Sequence, residues 1–516
     1  MSNYFVGIDA GTSSTRVIIF DEYGNVKSSA KRDYDIIKVK PGYFEQKADW
    51  WFLKTMESFK EALNNFKDNK KNIKGVGITH QRQTFVPINK EGHPLRNGIL
   101  WSDLRSTKEV EDAKKKLSNH EIYSLTGFPA GLWTIYKVLW LKNNEPELFK
   151  NIYKILLVND FIIYKFTGKI VATSGSASGM GCLDIKNPTR WSDKILDVLG
   201  IQKSILPEKI YKGGEIIGYL KKEIVDELGL DSQIPVVATA GDQPCGSLGA
   251  GCIHDSIAAI AGGTACTCEI FSKKLPINKA INYFIEVSPT GGYLPENSIY
   301  SGASALMNWY KNNFGYEMVM EAKNKNLNIW ENIYNKALES SPGSSGLILI
   351  PYFTGAGSPF WDMDARGVLF GLTESNSNND FIRSIFEGLA YESKKVLELM
   401  EKDTGIKVKE VRMYGGSANS DIWNQIFSDV LGIPTITTIT PETTALGAAI
   451  CVAKGVGAYK TFEEAVENMV KLKKEYRPNE KNNRLYLKIY EEVYKNFYEL
   501  IQEKIKKLSL IIRQNN

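Results

Sequence analysis

Residues 4–20 read YFVGIDAGTSSTRVIIF. An apolar run over 4–8 breaks at Asp9-Ala10-Gly11-Thr12-Ser13-Ser14 and resumes over 15–20. That pattern predicts a β-hairpin whose tip is built from glycine and small hydroxyl residues. The same shape returns at 257–271, IAAIAGGTACTCEIF, where an apolar run enters Gly262-Gly263-Thr264 and a second strand follows. Laying one on the other sets Thr12 against Thr264 and Asp9 against Ala261. Two copies are too few for a solenoid, so we read an internal duplication with one copy opening each half of the chain.

The bounds agree with two halves. At 516 residues the chain exceeds one core. An apolar content of 43% and a charged content of 24% are ordinary for a soluble globular protein. Sixty-four basic residues against 59 acidic ones give a net charge of +5. They are spread along the chain, so no nucleic-acid partner is expected. The six cysteines form no doubled CxxC pattern and read as reduced thiols. No leader-like start and no apolar run of about 18 residues is present. The expectation is a cytoplasmic enzyme without a membrane partner, and a homodimer is left open.

Between the hairpins, strand-like runs over 73–79, 155–158 and 235–240 alternate with helical patterns over 50–66 and 133–144, which argues α/β with mixed sheets. The glycine-rich stretch 246–251 suits a hinge. Beyond it come a strand over 347–351, a long helix over 379–400 and a strand over 408–414 that ends in Gly415-Gly416. The tail, 483–513, places Leu485, Ile489, Val493, Phe497 and Leu500 on one face, predicting a docked terminal helix.

The residue types suggest where chemistry sits. A turn of Gly11, Thr12, Ser13 and Ser14 offers backbone N–H groups and hydroxyls over a short arc, a natural anion cradle, and Arg16 adds a fixed positive charge. Gly263 and Thr264 repeat the turn. Asp9, acceptor-only when ionised, suits Mg²⁺ or its waters. Asp242, at a strand end in AGDQPCG, is the candidate general base. Gly415, Gly416, Ser417 and Asn419 lie between a strand and a helix, where glycine lets a flat base or ribose approach the backbone. Arg82, Gln83, Asp103, Asp242 and Gln243, with Trp101 as an apolar wall, make a polar pocket suited to a polyol. His80 reads as a hydrogen-bonded structural histidine.

Residues 367–387, GVLFGLTESNSNNDFIRSIFE, then give the chain a relative. Gly367, Leu369, Gly371 and Leu372 precede a polar spacer, and Asp380, Phe381, Ser384, Ile385, Phe386 and Glu387 follow at helical spacing. The segment closely resembles the C-terminal signature of the FGGY carbohydrate kinases. DAGTSSTR, AGDQPCG, the Gly415-Gly416 turn and residues 442–448 also resemble family motifs. The resemblance implies a two-domain actin-like ATPase (ribonuclease H-like) fold with a duplicated core and a catalytic cleft between domains. Residues 1–247 would bind the sugar and carry the catalytic aspartate, and residues 248–516 would bind ATP. It further implies ATP and Mg²⁺ as cofactors, Asp242 as base, Asp9 at the metal, and Gly11, Thr12, Ser13, Arg16, Gly263, Thr264, Gly415, Gly416, Ser417 and Asn419 at the nucleotide. The expected reaction is phosphorylation of a small sugar or polyol. Glycerol kinases carry Arg-Glu where this chain has Arg82-Gln83, and aromatic residues near Leu132 and around Cys266 and Cys268. Xylulokinases carry Met-His at 82–83. With two aromatic walls missing, the pocket has more room than glycerol needs, and a ketopentose such as D-xylulose is expected. A short polyol, or an ATP-driven conformational protein on the same fold, are the alternatives.

Overall fold

In the computed structural model, which describes residues 2–230 and 234–514, the strand Tyr4–Ala10 pairs antiparallel with Ser14–Asp21, as the hairpin pattern predicts. The chain divides into two units, each assembled from separate stretches. Met1–Ile253, Ser272–Leu294 and Glu442–Lys471 form the first; His254–Phe271, Pro295–Pro441 and Leu472–Asn516 form the second.

The sheet of the first unit runs, edge to edge, Val26–Asp33, Ser14–Asp21, Tyr4–Ala10, Ile73–His80, Pro235–Val237, Ile216–Tyr219. The first three strands form an antiparallel meander. Ile73–His80 and Pro235–Val237 run parallel to Tyr4–Ala10, and Ile216–Tyr219 is an antiparallel edge. The near-continuous apolar run of the central strand follows from burial of both its faces. Tyr4, Val6, Ile8 and Ala10 pack with Trp51, Met56, Phe59 and Leu63 of the helix Ala48–Asn65. Phe5, with Ile18 and Phe20, packs with Leu446, Ala449 and Ile450 of the helix Thr443–Gly455. Gly7 lets that helix sit close, for a Cβ there would lie 2.1 Å from the Ala445 carbonyl oxygen.

Six strands of a second, seven-stranded sheet repeat the order: Tyr293–Ile299, Cys266–Ile270, Ile257–Gly262, Glu410–Tyr414, Thr435–Thr438, Leu472–Tyr476. Again three strands alternate, two run parallel to the first, and an antiparallel strand closes the edge. A strand order of three-two-one-four-five, present twice, is the ribonuclease H-like core of actin-like ATPases. The long helix Asn378–Thr404 covers the sheet. Ser377 and Asp380 cap its start reciprocally, and Gly405, at φ 72°, ends it. The acidic residues of the 367–387 signature serve this packing. Asp380 accepts from the hydroxyls of Ser340 and Ser345, and Glu387 accepts from the Gly343 N–H and the Ser344 hydroxyl.

The stretch 246–251, read as suiting a hinge, begins inside a helix. Residues Asp242–Gly249 are helical, and their small side chains admit the helix Thr443–Gly455: a Cβ on Gly249 would lie 1.9 Å from the Thr443 carbonyl oxygen, and one on Gly447 1.9 Å from that of Cys245. The tail docks, but through another face. Leu485 and Leu500 are 41% and 79% exposed, whereas Tyr486, Tyr490, Tyr494 and Tyr498 are buried. Those phenols reach acids, three of them buried and Glu398 half-buried: Tyr486 to Glu387 at 2.6 Å, Tyr490 to Glu398 at 2.9 Å, Tyr494 to Glu392 at 3.2 Å and Tyr498 to Asp362 at 3.0 Å. Hydrogen-bonded phenols fill the core here, so reading by leucine spacing chose the wrong stripe. Among the described residues no helix is long and apolar enough to cross a membrane.

Candidate active site

The tip of the first hairpin is held by its carbonyls. The Gly11 N–H donates to the Ser14 oxygen at 2.9 Å, closing the turn. The Tyr34 hydroxyl donates to the Gly11 oxygen, the Gln46 amide to that of Thr12 at 2.7 Å, and the Tyr34 N–H to that of Ser13 at 3.0 Å. Three successive peptides are thereby fixed. The Thr12 hydroxyl accepts from the indole N–H of Trp101 at 3.0 Å, which brings those two predicted residues together.

Trp101 stands 41% exposed on a braced loop. Its own N–H donates to the Thr84 hydroxyl at 3.0 Å. Lys137 donates to the Leu100 and Trp101 carbonyls at 2.7 and 2.6 Å, and burial pulls its ammonium down to about 7. Asp103 is the predicted pocket residue that does not face a ligand. It is fully buried; Arg105 grips both carboxylate oxygens at 2.8 Å, and the Phe44 N–H adds a third bond at 2.6 Å. A carboxylate so occupied fixes the loop that carries Trp101.

Asp9 lies opposite Arg16 in the hairpin register. Arg16 Nη1 binds Glu442 Oε1 at 2.6 Å. Asp9 Oδ1 is buried and meets no hydrogen-bond donor among the described residues. Burial first, then the Asp242 carboxylate, push the Asp9 carboxyl up to about 7 against the pull of Arg16. A buried, acceptor-only oxygen left unbonded has the chemistry of a hard-cation ligand, so the residues present fit Mg²⁺.

Asp242 is the first residue of the helix Asp242–Gly249, where the backbone dipole favours a carboxylate. Its Oδ1 accepts from the Gln243 N–H at 2.9 Å and lies 3.2 Å from Arg82 Nε. Gly241 makes room for that arginine, since a Cβ would sit 2.4 Å from Arg82 Cγ. Arg82 Nη1 donates to Glu286 Oε1 at 2.6 Å, and the Ser178 hydroxyl donates to Glu286 Oε2. Gln83 adopts φ 66° and its carbonyl accepts from the Thr134 hydroxyl at 2.8 Å. Phe128, Trp133 and Phe284 form an aromatic cluster beside Gly181, two residues along from Gly179, which abuts Gln83 and Glu286. His80 is buried with Nδ1–H on the Gln81 carbonyl at 2.8 Å; burial holds its imidazole down at about 3, so it is neutral.

The remaining predicted residues lie in the second unit. Gly263 and Thr264 form the second hairpin tip; their carbonyls accept from the N–H groups of Ser304 at 3.0 Å and Gly302 at 2.8 Å. Gly415, at φ 81°, and Asn419 line a shallow pocket with Tyr414, Ala418, Thr438 and Lys473. The Asn419 amide donates to the Gly416 carbonyl at 3.2 Å. Ser417 is buried beneath Gly262, where a Cβ would meet the serine Cβ at 2.7 Å. Residues 442–448, which resemble a family motif, lie in the first unit.

Glu286 and Ser178 escaped the sequence reading, as did the pairing of Glu442 with Arg16. Glu286 had one signal: it is the single charge in the apolar strand Phe284–Val287. Its partner Arg82 is 204 positions away, and Arg16 is 426 from Glu442, so no local pattern ties either pair.

Similarity to known proteins accords with this arrangement. Residues 4–249 match the N-terminal domain, and residues 258–456 the C-terminal domain, of the FGGY family of carbohydrate kinases. A xylulose kinase of Staphylococcus xylosus is 31% identical over 496 residues, 94% of this chain and 98% of that protein. A glycerol kinase of Thermococcus gammatolerans is 31% identical over 486 residues, covering 93% and 94%. The crystal structure of a gluconate kinase from Lactobacillus acidophilus superposes with a TM-score of 0.89 at 26% identity, over 98% of this chain and 100% of that one. With both domains matched along most of its length, the chain belongs to the FGGY family of carbohydrate kinases.

Proposed function

We propose that the protein transfers the terminal phosphoryl group of ATP to a hydroxyl of a ketopentose such as D-xylulose. The observation that carries this reading is Asp242, held between a helix N-terminus and Arg82, 3.2 Å from its Nε. In this role Asp242 accepts the proton of the attacking hydroxyl. Arg82, Gln83 and Gln243 orient the sugar, and Trp101 gives it an apolar wall. Thr12, Ser13 and Arg16 hold phosphate, as do Gly263 and Thr264, while Gly415 and Asn419 receive the adenosine. Asp9 would hold Mg²⁺, which when bound neutralises phosphate charge. The sugar then falls mainly to residues 1–247 and the adenosine to 248–516.

The ketopentose is preferred over glycerol on polar satisfaction. A three-carbon polyol leaves pocket donors unmatched, at about 1–3 kcal/mol for each buried group, which corresponds to tenfold or more in kcat/KM. The xylulose kinase of S. xylosus supports this choice, and the T. gammatolerans glycerol kinase supports glycerol as the second reading. An ADP-release screen over polyols and ketoses tests both. D-Xylulose should exceed glycerol at least tenfold. Glycerol as the best acceptor overturns the substrate, and ADP release independent of any acceptor overturns the transfer itself.

A further inference from the structure

We propose that Glu286 is a specificity-determining residue: by occupying Arg82 it makes the sugar pocket select neutral polyhydroxy substrates and reject sugar acids. This rests on the reading of the Arg82–Asp242 pocket as the sugar site.

An arginine at the edge of a polar pocket is, by default, a receptor for carboxylate, which it binds through two parallel N–H bonds. Here both of its edges are engaged by the protein's own acids. Nε faces Asp242 at 3.2 Å and Nη1 donates to Glu286 at 2.6 Å. The Arg82 side chain is 12% exposed and that of Glu286 is wholly buried. Glu286 is itself fixed. The Ser178 hydroxyl donates to its second oxygen and lies 3.4 Å from the Val287 N–H, which ties it to the strand that carries Glu286.

Two carboxylates share one guanidinium, so the cluster of Arg82, Asp242 and Glu286 carries a net negative charge. A ketose or polyol meets it without loss, because hydroxyls donate to carboxylates as readily as they accept from guanidinium N–H groups. An aldonate brings a third carboxylate against two. In a partly desolvated site that repulsion is weakly screened. Neutralising Glu286 changes the balance to one charge of each sign and leaves a guanidinium edge for the incoming acid. The residue therefore acts through Arg82, and its signature is the charge of the ligand rather than its size.

The test compares two five-carbon ligands of similar shape, neutral xylitol and anionic D-xylonate, by titration calorimetry with the full chain. Wild type should bind xylitol at least tenfold more tightly than xylonate. Glu286→Gln should shift that ratio at least tenfold toward xylonate, and Ser178→Ala, which keeps the charge, should move it less than threefold. Equal wild-type affinities overturn the proposal without recourse to any variant. So does a folded Glu286→Gln protein, melting cooperatively, whose ratio is unmoved. If Glu286→Gln does not fold, Arg82→Gln decides: with both acids present and no guanidinium, xylonate should be rejected at least as strongly as by wild type, and improved xylonate binding overturns the idea. Turnover is read separately. A wild type that shows the ligand preference but phosphorylates no neutral sugar removes the proposed function and leaves the role of Glu286 standing.

Discussion

The two sheets share one strand order and carry different chemistry. In the first hairpin Asp9 lies opposite Arg16; at the matching register position the second pairs Ala261 with Thr267. The tips differ as well. Gly11–Ser14 separate the last paired residues of the first, whereas only Gly263–Ala265 separate those of the second. Further along, each fifth strand leads into a helix that opens beside a carboxylate, Asp242 in one copy and Glu442 in the other, and both helices belong to the first unit. The duplication has kept the backbone scaffold and gathered the charge into one copy. Scaffold geometry tolerates alanine where chemistry needs aspartate, which is why a shared fold does not specify a shared role.

The comparison breaks most deeply at Asp242. Replacing it by asparagine should keep the fold and nucleotide binding while lowering kcat by about 10²–10⁴, measured under saturating substrates. Near-normal turnover would place the base elsewhere. Next comes the reverse transplant, Ala261→Asp. Ala261 is buried and faces Thr267 rather than an arginine, so the new carboxylate should cost about 3 kcal/mol or more, read from the urea midpoint. An unchanged midpoint would mean that the two hairpin environments are alike after all.

Gly447→Ala probes how the second copy's helix is seated in the first unit. Its Cβ would overlap the Cys245 carbonyl, and about 1–3 kcal/mol should be lost on denaturant unfolding. The last effect is a slope with pH, absent at neutral pH, and concerns His80. Its folded pKa of about 3 lies below the ordinary value of 6.5, so the unfolded chain binds the extra proton between those limits. Stability attributable to neutral His80 is complete above pH 6.5 and is lost as pH falls toward 3, at no more than about 1.4 kcal/mol per pH unit. His80→Asn, whose amide can still reach the Gln81 carbonyl, should lose less stability than wild type across that window. Parallel curves would remove the histidine from the account.

How much of this was legible follows from where each signal lies in the chain. The hairpins could be read because alternation, glycine and hydroxyls fall within some 20 consecutive residues. Asp242 and the residues around Arg82 could be read because a strand end is a local feature. Three things could not. Asp103 looked like a sugar ligand until Arg105 and the Phe44 N–H were seen to saturate it. Glu286 and Glu442 act across hundreds of positions, and a single sequence records no trace of such pairings. The close seat of Gly249 against the Thr443 carbonyl left no mark in the sequence beyond the glycine itself.

The row of tyrosines in the terminal helix has a consequence for where the chain can be cut. Tyr486, Tyr490, Tyr494 and Tyr498 each offer a phenolic proton to an acid under the sheet of the second unit. Trimming the chain before Tyr486 would strand Glu387, Glu392, Glu398 and Asp362 without those donors, so the tyrosine-bearing stretch 486–498 behaves as core rather than appendage. Burial raises all four phenols above their ordinary range. In an alkaline titration followed in the ultraviolet they should therefore stay silent until the unit unfolds, giving an optical report on the end of the chain that needs no label.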